Sequence, residues 1–240
     1  MNAQNNVEIK PGLEGYAAIP TGRGPFPGVL VFMEAYGITG HIRGVCDRLA
    51  DAGIGALALD FFHGELIPYA DAQAAMAKIA TLKDEVLLQE SAAGLDWLAA
   101  QEKVQSDALG VMGFCMGGRL AFLANCRLAA RLQAAVAFYG GGIAPEAAGP
   151  DRYGRTPPIG ETGSMQAPLF LGYGADDQGI TAAEHARVVS ALSAAKKRYV
   201  LSVYPGAGHA FLCEERANYA PAAATLAWRD ALDFLAVQLG

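Results

Sequence analysis

Long apolar runs are missing from this sequence. No stretch approaches the roughly 18–20 apolar residues that a membrane-spanning helix requires, so no membrane association is expected. Concentrated positive charge is missing as well. Eighteen Lys and Arg stand against 24 Asp and Glu, a net charge of −6. The densest basic cluster, Lys196-Lys197-Arg198, reads as the solvated end of a helix. Nucleic acid and anionic membrane surfaces both call for clustered positive charge, so neither is expected as a partner. Cysteine is scarce: Cys46, Cys115, Cys126 and Cys213 are scattered, with no Cys-x-x-Cys pair and no zinc-spaced Cys/His cluster. Neither a disulfide framework nor a structural metal is therefore expected. The stretch Met1–Lys10 lacks the apolar core of a secretory signal, which points to the cytoplasm.

What is present is the composition of a globular chain, 52% hydrophobic and 18% charged over 240 residues, enough for a substantial core. No repeat, low-complexity tract or composition shift marks a linker, so residues 1–240 read as a single domain. Short apolar segments alternate with amphipathic ones. Val7–Ile9 and Gly15–Ile19 read as opening strands around the turn signal Pro11-Gly12. Gly28–Met33 is a continuous apolar run, as in a strand buried on both faces. Further strands are predicted at Gly55–Leu59, Leu109–Gly113, Ala134–Tyr139, Leu169–Gly172 and Tyr199–Tyr204. Helices are predicted over Ile42–Ala52, Ala72–Ala100, from Cys115 to Arg127, Ala182–Ala194 and Ala222–Leu239. Within the long second helix, Ile79, Leu82, Val86, Ala93 and Trp97 form the expected apolar stripe. Residues 141–166, rich in Gly and Pro, read as a loop. Strands alternating with helices predict an α/β fold, a mostly parallel central sheet with helices on both faces.

One segment carries a chemical pattern. Gly113-Phe-Cys-Met-Gly117 lies between a strand and a helix. Glycines two positions either side of a nucleophile allow a sharp turn that lifts its side chain above the sheet. Cys115 would sit at the positive end of a helix, which favours thiolate over thiol. The N–H of Met116 would be free for a developing oxyanion. A dinucleotide loop fits poorly, since glycines at 110, 113, 117 and 118 do not give Gly-x-Gly-x-x-Gly. The bland reading, a small core cysteine, gives way when partners are counted. His209 lies in a glycine-rich loop directly after the last strand, where a base following nucleophile and acid in chain order belongs. Asp176 and Asp177 both leave the strand Leu169–Gly172. Asp177 is preferred from the Gln-Gly-Ile-Thr that comes after it, with Asp176 as a solvated turn residue. Glu34 follows an apolar strand immediately and points to the ligand crevice of an open parallel sheet. Among the other histidines, His63 follows a strand end and is a candidate pocket residue, His41 stands near a helix start, and His185 reads as a solvated helix residue.

With Glu34, Cys115, Asp177 and His209 in this order, the chain resembles the dienelactone hydrolase family of α/β-hydrolases. The matching pieces are Val-Phe-Met-Glu-Ala-Tyr-Gly (31–37), Leu-Asp-Phe-Phe (59–62), Gly-Phe-Cys-Met-Gly-Gly (113–118), Phe-Tyr-Gly (138–140), Gly-Ala-Asp-Asp-Gln-Gly-Ile (174–180) and Gly-Ala-Gly-His-Ala-Phe (206–211). The resemblance implies a Cys-His-Asp triad that opens a small lactone or activated ester through an acyl-enzyme, in a monomer or homodimer. It also implies a glutamate at position 34 that acts on the thiol, an oxyanion hole of Ala35 and Met116 N–H groups, and Tyr36 and Tyr139 beside the pocket. Neither metal nor organic cofactor is implied. The chain departs from the family where arginines hold a substrate carboxylate. Cys213 stands four residues after His209 where one is expected, and no arginine occurs from 61 to 118. Lys78 and Arg216 are the candidate replacements. A lysine lacks the planar fork of a guanidinium. Two other readings share the fold: a ligand-binding or redox-sensing protein using a reactive Cys115, and an acyl-transfer enzyme.

Overall fold

The computed structural model describes residues 3–147, 149–151 and 153–240. In chain order the elements are β1 (Ala3–Lys10), β2 (Leu13–Ile19), β3 (Phe26–Phe32), α1 (Gly40–Asp51), β4 (Gly55–Leu59), α2 (Ala72–Thr81), α3 (Asp84–Ala99) and β5 (Val104–Phe114). Then follow α4 (Met116–Arg127), β6 (Ala134–Phe138), β7 (Leu169–Gly174), α5 (Ala182–Ala194), β8 (Tyr199–Tyr204) and α6 (Pro221–Leu239). All eight strands join one sheet in the order β1-β2-β4-β3-β5-β6-β7-β8. β1 and β2 are antiparallel additions at one edge; from β4 to β8 every pairing is parallel.

The parallel strands are apolar throughout because helices cover both of their faces. Every residue of β4, β6 and β7 is buried, as a sheet covered on both sides demands. The sequence reading of an α/β fold with a mostly parallel sheet therefore stands, with strand ends extended by a few residues at β1 and β5.

The predicted helix over 72–100 is two helices. The chain is extended at Leu82 and Lys83 and restarts at Asp84. The expected stripe is also out of phase. Val86 is 45% exposed, whereas Leu87, Leu88, Ser91, Gly94, Leu95 and Leu98 face inward. Gly94 lets α3 lie close to the sheet: a Cβ there would stand 2.9 Å from side-chain carbons of Leu30 and Leu59. The break carries buried Asp84 to Arg119, a long-range partner invisible to helical periodicity. The segment 141–166 contains a short 3-10 helix at Pro158–Ser164. Among the described residues, no helix is long and apolar enough to cross a membrane.

Candidate active site

Cys115 occupies the turn between β5 and α4 with φ 56° and ψ −116°, a left-handed conformation uncommon for a residue with a side chain. The turn is held from both sides. Cys115 N–H donates to Phe138 O at 3.1 Å, and Cys115 O accepts from the N–H groups of Gly118 and Arg119 at 2.9 and 3.2 Å. A Cβ at Gly113 would overlap the Gly117 carbonyl, and one at Gly117 would overlap the carbonyl of Phe32 on β3. These two positions must be glycine for strand and helix to approach so closely. Met116 opens α4, so its N–H has no partner one turn back, and it lines the same cleft as Cys115.

His209 comes from the loop after β8 and Asp177 from the loop after β7. His209 Nε2 stands 3.2 Å from Cys115 Sγ, and Nδ1 stands 2.7 Å from Asp177 Oδ2. The other carboxylate oxygen, Oδ1, accepts the backbone N–H groups of Gly179 and Ile180 at 2.8 and 3.1 Å. Asp177 is thus fixed in the loop and aimed at the imidazole, while neighbouring Asp176 is exposed. Burial pushes the Asp177 carboxyl up, but His209 and the two backbone donors outweigh it and bring it below the usual carboxylate value. Burial likewise disfavours a charged His209. The Cys115 sulfur and the Asp177 carboxylate overrule that effect and raise its pKa to about 10.

Glu34 is 2% exposed, and neither carboxylate oxygen closes a hydrogen bond among the described residues. Ala35 follows it and is also buried. Tyr139 is fully buried and its hydroxyl closes no well-formed hydrogen bond among the described residues. Burial pushes that hydroxyl well above the ordinary phenol range, and the adjacent Glu34 carboxylate adds to the push. Tyr36 is buried with its ring 4.8 Å from that of Tyr69. His63 does not reach the Cys115 cleft. It lies in a separate hollow with Lys78 and Glu90, its Nδ1 3.1 Å from Gly12 O and its Nε2 3.5 Å from Glu90. The strand end that carries His63 is β4, one strand beyond β3, which puts it too far along the sheet. His185 is not a solvated residue: its ring stacks on Tyr173 at 4.2 Å and its Nε2 is buried. His41, at the start of α1, is fully buried and bonds Glu214 at 2.8 Å.

The cleft over Cys115 has a volume of about 650 Å³. Met76, Ile79, Tyr153 and Ile180 give it apolar walls. It also receives two arginines that the sequence reading left out, Arg119 and Arg155. Arg119 is one helical turn past Cys115, a spacing that could have flagged it. It is spent on Asp84, which it binds in two parallel bonds of 2.8 and 2.9 Å, and on Thr156 O. Arg155 comes from the segment read as a loop, where no periodicity signals direction. Its Nε and Nη2 meet the same oxygen of Asp151, at 2.9 and 2.8 Å, a pairing that does not use Nη1. Its guanidinium also lies 4.9 Å from the Tyr153 ring centre. Of the two expected replacements, Lys78 pairs with Glu65 at 2.5 Å in the His63 hollow. Arg216 lies over the rings of Tyr36 and Tyr69, at 5.2 and 5.9 Å. Among the described residues, no group of three or more His, Cys, Asp and Glu is arranged to hold a metal ion.

Comparison with known proteins gives a consistent result. The model of the dienelactone hydrolase family matches residues 13–239. A Methylorubrum extorquens protein provisionally named a carboxymethylenebutenolidase is 32% identical, the match covering 92% of this chain and 76% of the relative. A Bradyrhizobium protein provisionally named a 2-oxo-3-(5-oxofuran-2-ylidene)propanoate lactonase is 33% identical, over 92% of this chain and 87% of its own. Among solved structures, a Klebsiella pneumoniae protein provisionally described as a dienelactone hydrolase superposes with a TM-score of 0.87 at 28% identity, covering 98% of this chain and 99% of that one. A dienelactone hydrolase-like promiscuous phosphotriesterase from metagenomic libraries gives 0.81 at 25% identity, covering 100% and 99%.

Proposed function

The chain belongs to the dienelactone hydrolase family of α/β-hydrolases, a lactone and ester hydrolase acting on small molecules, and on that premise we propose that Cys115, His209 and Asp177 are its catalytic triad. The observation that carries this reading is the unbroken contact chain from Asp177 Oδ2 through both nitrogens of His209 to Cys115 Sγ, at 2.7 and 3.2 Å. The thiol proton passes to His209 Nε2 and the sulfur attacks the lactone carbonyl carbon. The carbonyl oxygen becomes an oxyanion held by the N–H groups of Ala35 and Met116. Collapse breaks the ring C–O bond and leaves a thioester, while the departing oxygen takes the proton from His209. Water then attacks the thioester, giving its proton to His209 and releasing the sulfur and the acid. Glu34, on the same row as Cys115 across the sheet, is placed to act on the thiol as substrate enters.

The substrate is a lactone or activated ester small enough for the 650 Å³ cleft. Arg155, held by Asp151 with Nη1 unspent among the described residues, is suited to bind a carboxylate on the acyl portion. An enol lactone or a nitrophenyl ester tests the reading. Turnover is expected in the wild type and is expected to vanish in Cys115→Ala and His209→Ala. Turnover that survives complete iodoacetamide labelling of Cys115 would refute the proposal.

A further inference from the structure

Two buried polar groups beside the nucleophile, the Glu34 carboxylate and the Tyr139 hydroxyl, lie near enough to couple to each other, yet neither closes a well-formed hydrogen bond among the described residues. Unpaired groups of this kind cost about 1–3 kcal/mol each in an interior, so a pair at one place calls for a reason. Sheet register brings them together. Phe32 pairs with Gly113, and Phe114 with Phe138, in parallel ladders. Carried past the strand ends, that register sets Glu34, Cys115 and Tyr139 in one row across β3, β5 and β6. Tyr139 is held there at φ 38°, a left-handed conformation that a bulky residue keeps only where its surroundings impose it. Its N–H donates to Gly172 O at 2.8 Å, and its ring packs on His209 and Phe211 with centres 5.3 and 5.6 Å apart. With no exposed surface, Tyr139 is not placed to touch substrate. The adjacency of phenol and carboxylate is the same one that raises the Tyr139 pKa.

We propose that Tyr139 is a positioning residue that acts through Glu34: its O–H draws the Glu34 carboxylate away from Cys115 as the thiolate forms. The inference rests on Cys115 being the nucleophile. Once the S–H proton has moved to His209 Nε2, sulfur and carboxylate are like charges in a buried space, and each opposes the other. A donor on the row that is otherwise unengaged gives the carboxylate a second place to rest. The other titratable groups facing the row are His209, Asp177 and Cys213, whose sulfur contacts the Tyr69 hydroxyl at 3.5 Å.

Tyr139→Phe removes a hydroxyl that closes no well-formed hydrogen bond among the described residues, so its thermal midpoint is expected to be no lower than that of the wild type. The pH midpoint of Cys115 alkylation by iodoacetamide should rise by about half a unit or more. Near pH 7, kcat should fall about 3- to 10-fold, with KM within about twofold, since the residue does not touch substrate. Tyr139→Leu, a second variant without the hydroxyl, should shift the alkylation midpoint the same way. In a Glu34→Gln background the like charge is gone, and Tyr139→Phe should move the midpoint no further. An unmoved midpoint in both Tyr139 variants, or an equal shift with and without Glu34, would overturn the inference. Failure of the underlying reading is a separate result, namely turnover that persists in alkylated wild type.

Discussion

Asp177→Asn isolates what the carboxylate contributes, because the loop dictates how the new amide must sit. Asp177 Oδ1 accepts two backbone N–H groups, from Gly179 and Ile180, at 2.8 and 3.1 Å. An asparagine carbonyl can keep both bonds only by presenting its NH₂ group to His209 Nδ1. Flipping the amide would turn its NH₂ group on both donors and leave the buried Ile180 N–H unsatisfied, at about 1–3 kcal/mol. Even at the low end, roughly 1 kcal/mol favours the first orientation about fivefold. His209 Nδ1 must then accept, so the imidazole proton lies on Nε2, facing Cys115. That tautomer donates towards sulfur and cannot receive the thiol proton. General-base help of this kind is worth about 10²–10⁴ in rate, and the same tautomer error in a serine triad costs about 10⁴. We expect kcat for an enol lactone to fall by about 10²–10⁴, with a thermal midpoint near that of the wild type because the loop keeps its two bonds. Asp176→Asn, at an exposed position, should change kcat less than about twofold. Steady-state kinetics and thermal melts on the two variants suffice. An Asp177→Asn enzyme within tenfold of wild-type kcat would refute the tautomer argument.

Arg155→Met should discriminate between substrates. A charge-assisted hydrogen bond contributes about 1.5–3 kcal/mol, so kcat/KM for a carboxylate-bearing lactone should drop about 10- to 100-fold and that for a neutral ester should hold. Equal losses on both substrates, measured side by side, would remove Arg155 from recognition. Glu214→Gln tests the bond to buried His41 that ties the loop after His209 to α1. That bond, working against burial, lowers the Glu214 carboxyl from 4.5 to about 2. A depressed carboxylate contributes stability above its ordinary pKa and loses it as pH falls through the folded value. The variant should therefore melt about 2–4 °C below wild type at pH 7, for roughly 1 kcal/mol at a part-exposed site. The gap should narrow from pH 4.5 towards 2, and a gap independent of pH would exclude the bond as its source.

The legible parts of the fold were those set by local pattern. The continuous apolar run Gly28–Met33 reads as a strand covered on both faces, and Val29, Leu30, Val31, Phe32 and Met33 are all fully buried. The glycines around Cys115 by themselves announced a close strand-to-helix approach. What escaped was decided by distant partners. Val86 sits in a helix at plausible apolar spacing, yet the face of α3 that meets the sheet is fixed by how Gly94 lies on Leu30 and Leu59. Asp84 and Arg119 are 35 positions apart and bind only because α3 begins where α4 passes. His63 follows a strand and so reads as a pocket residue, but the order of strands across the sheet, which sequence proximity does not fix, puts β4 outside the pair β3 and β5 that frames Cys115.

The acid shows where the two kinds of information meet. Asp176 and Asp177 leave the same strand, and neither composition nor periodicity separates them. Successive residues after a strand project in different directions, so only one could face the imidazole. The distinction lies in the residues immediately downstream. A carboxylate that caps the N–H groups two and three residues on is a common turn device. The Gln-Gly-Ile continuation after Asp177 carries that device in its sequence. Its result, one oxygen bound to the loop and the other 2.7 Å from His209, requires the loops after β7 and β8 to meet. Local turn chemistry thus orients the carboxylate, and the parallel pairing of β7 with β8 brings the histidine to it.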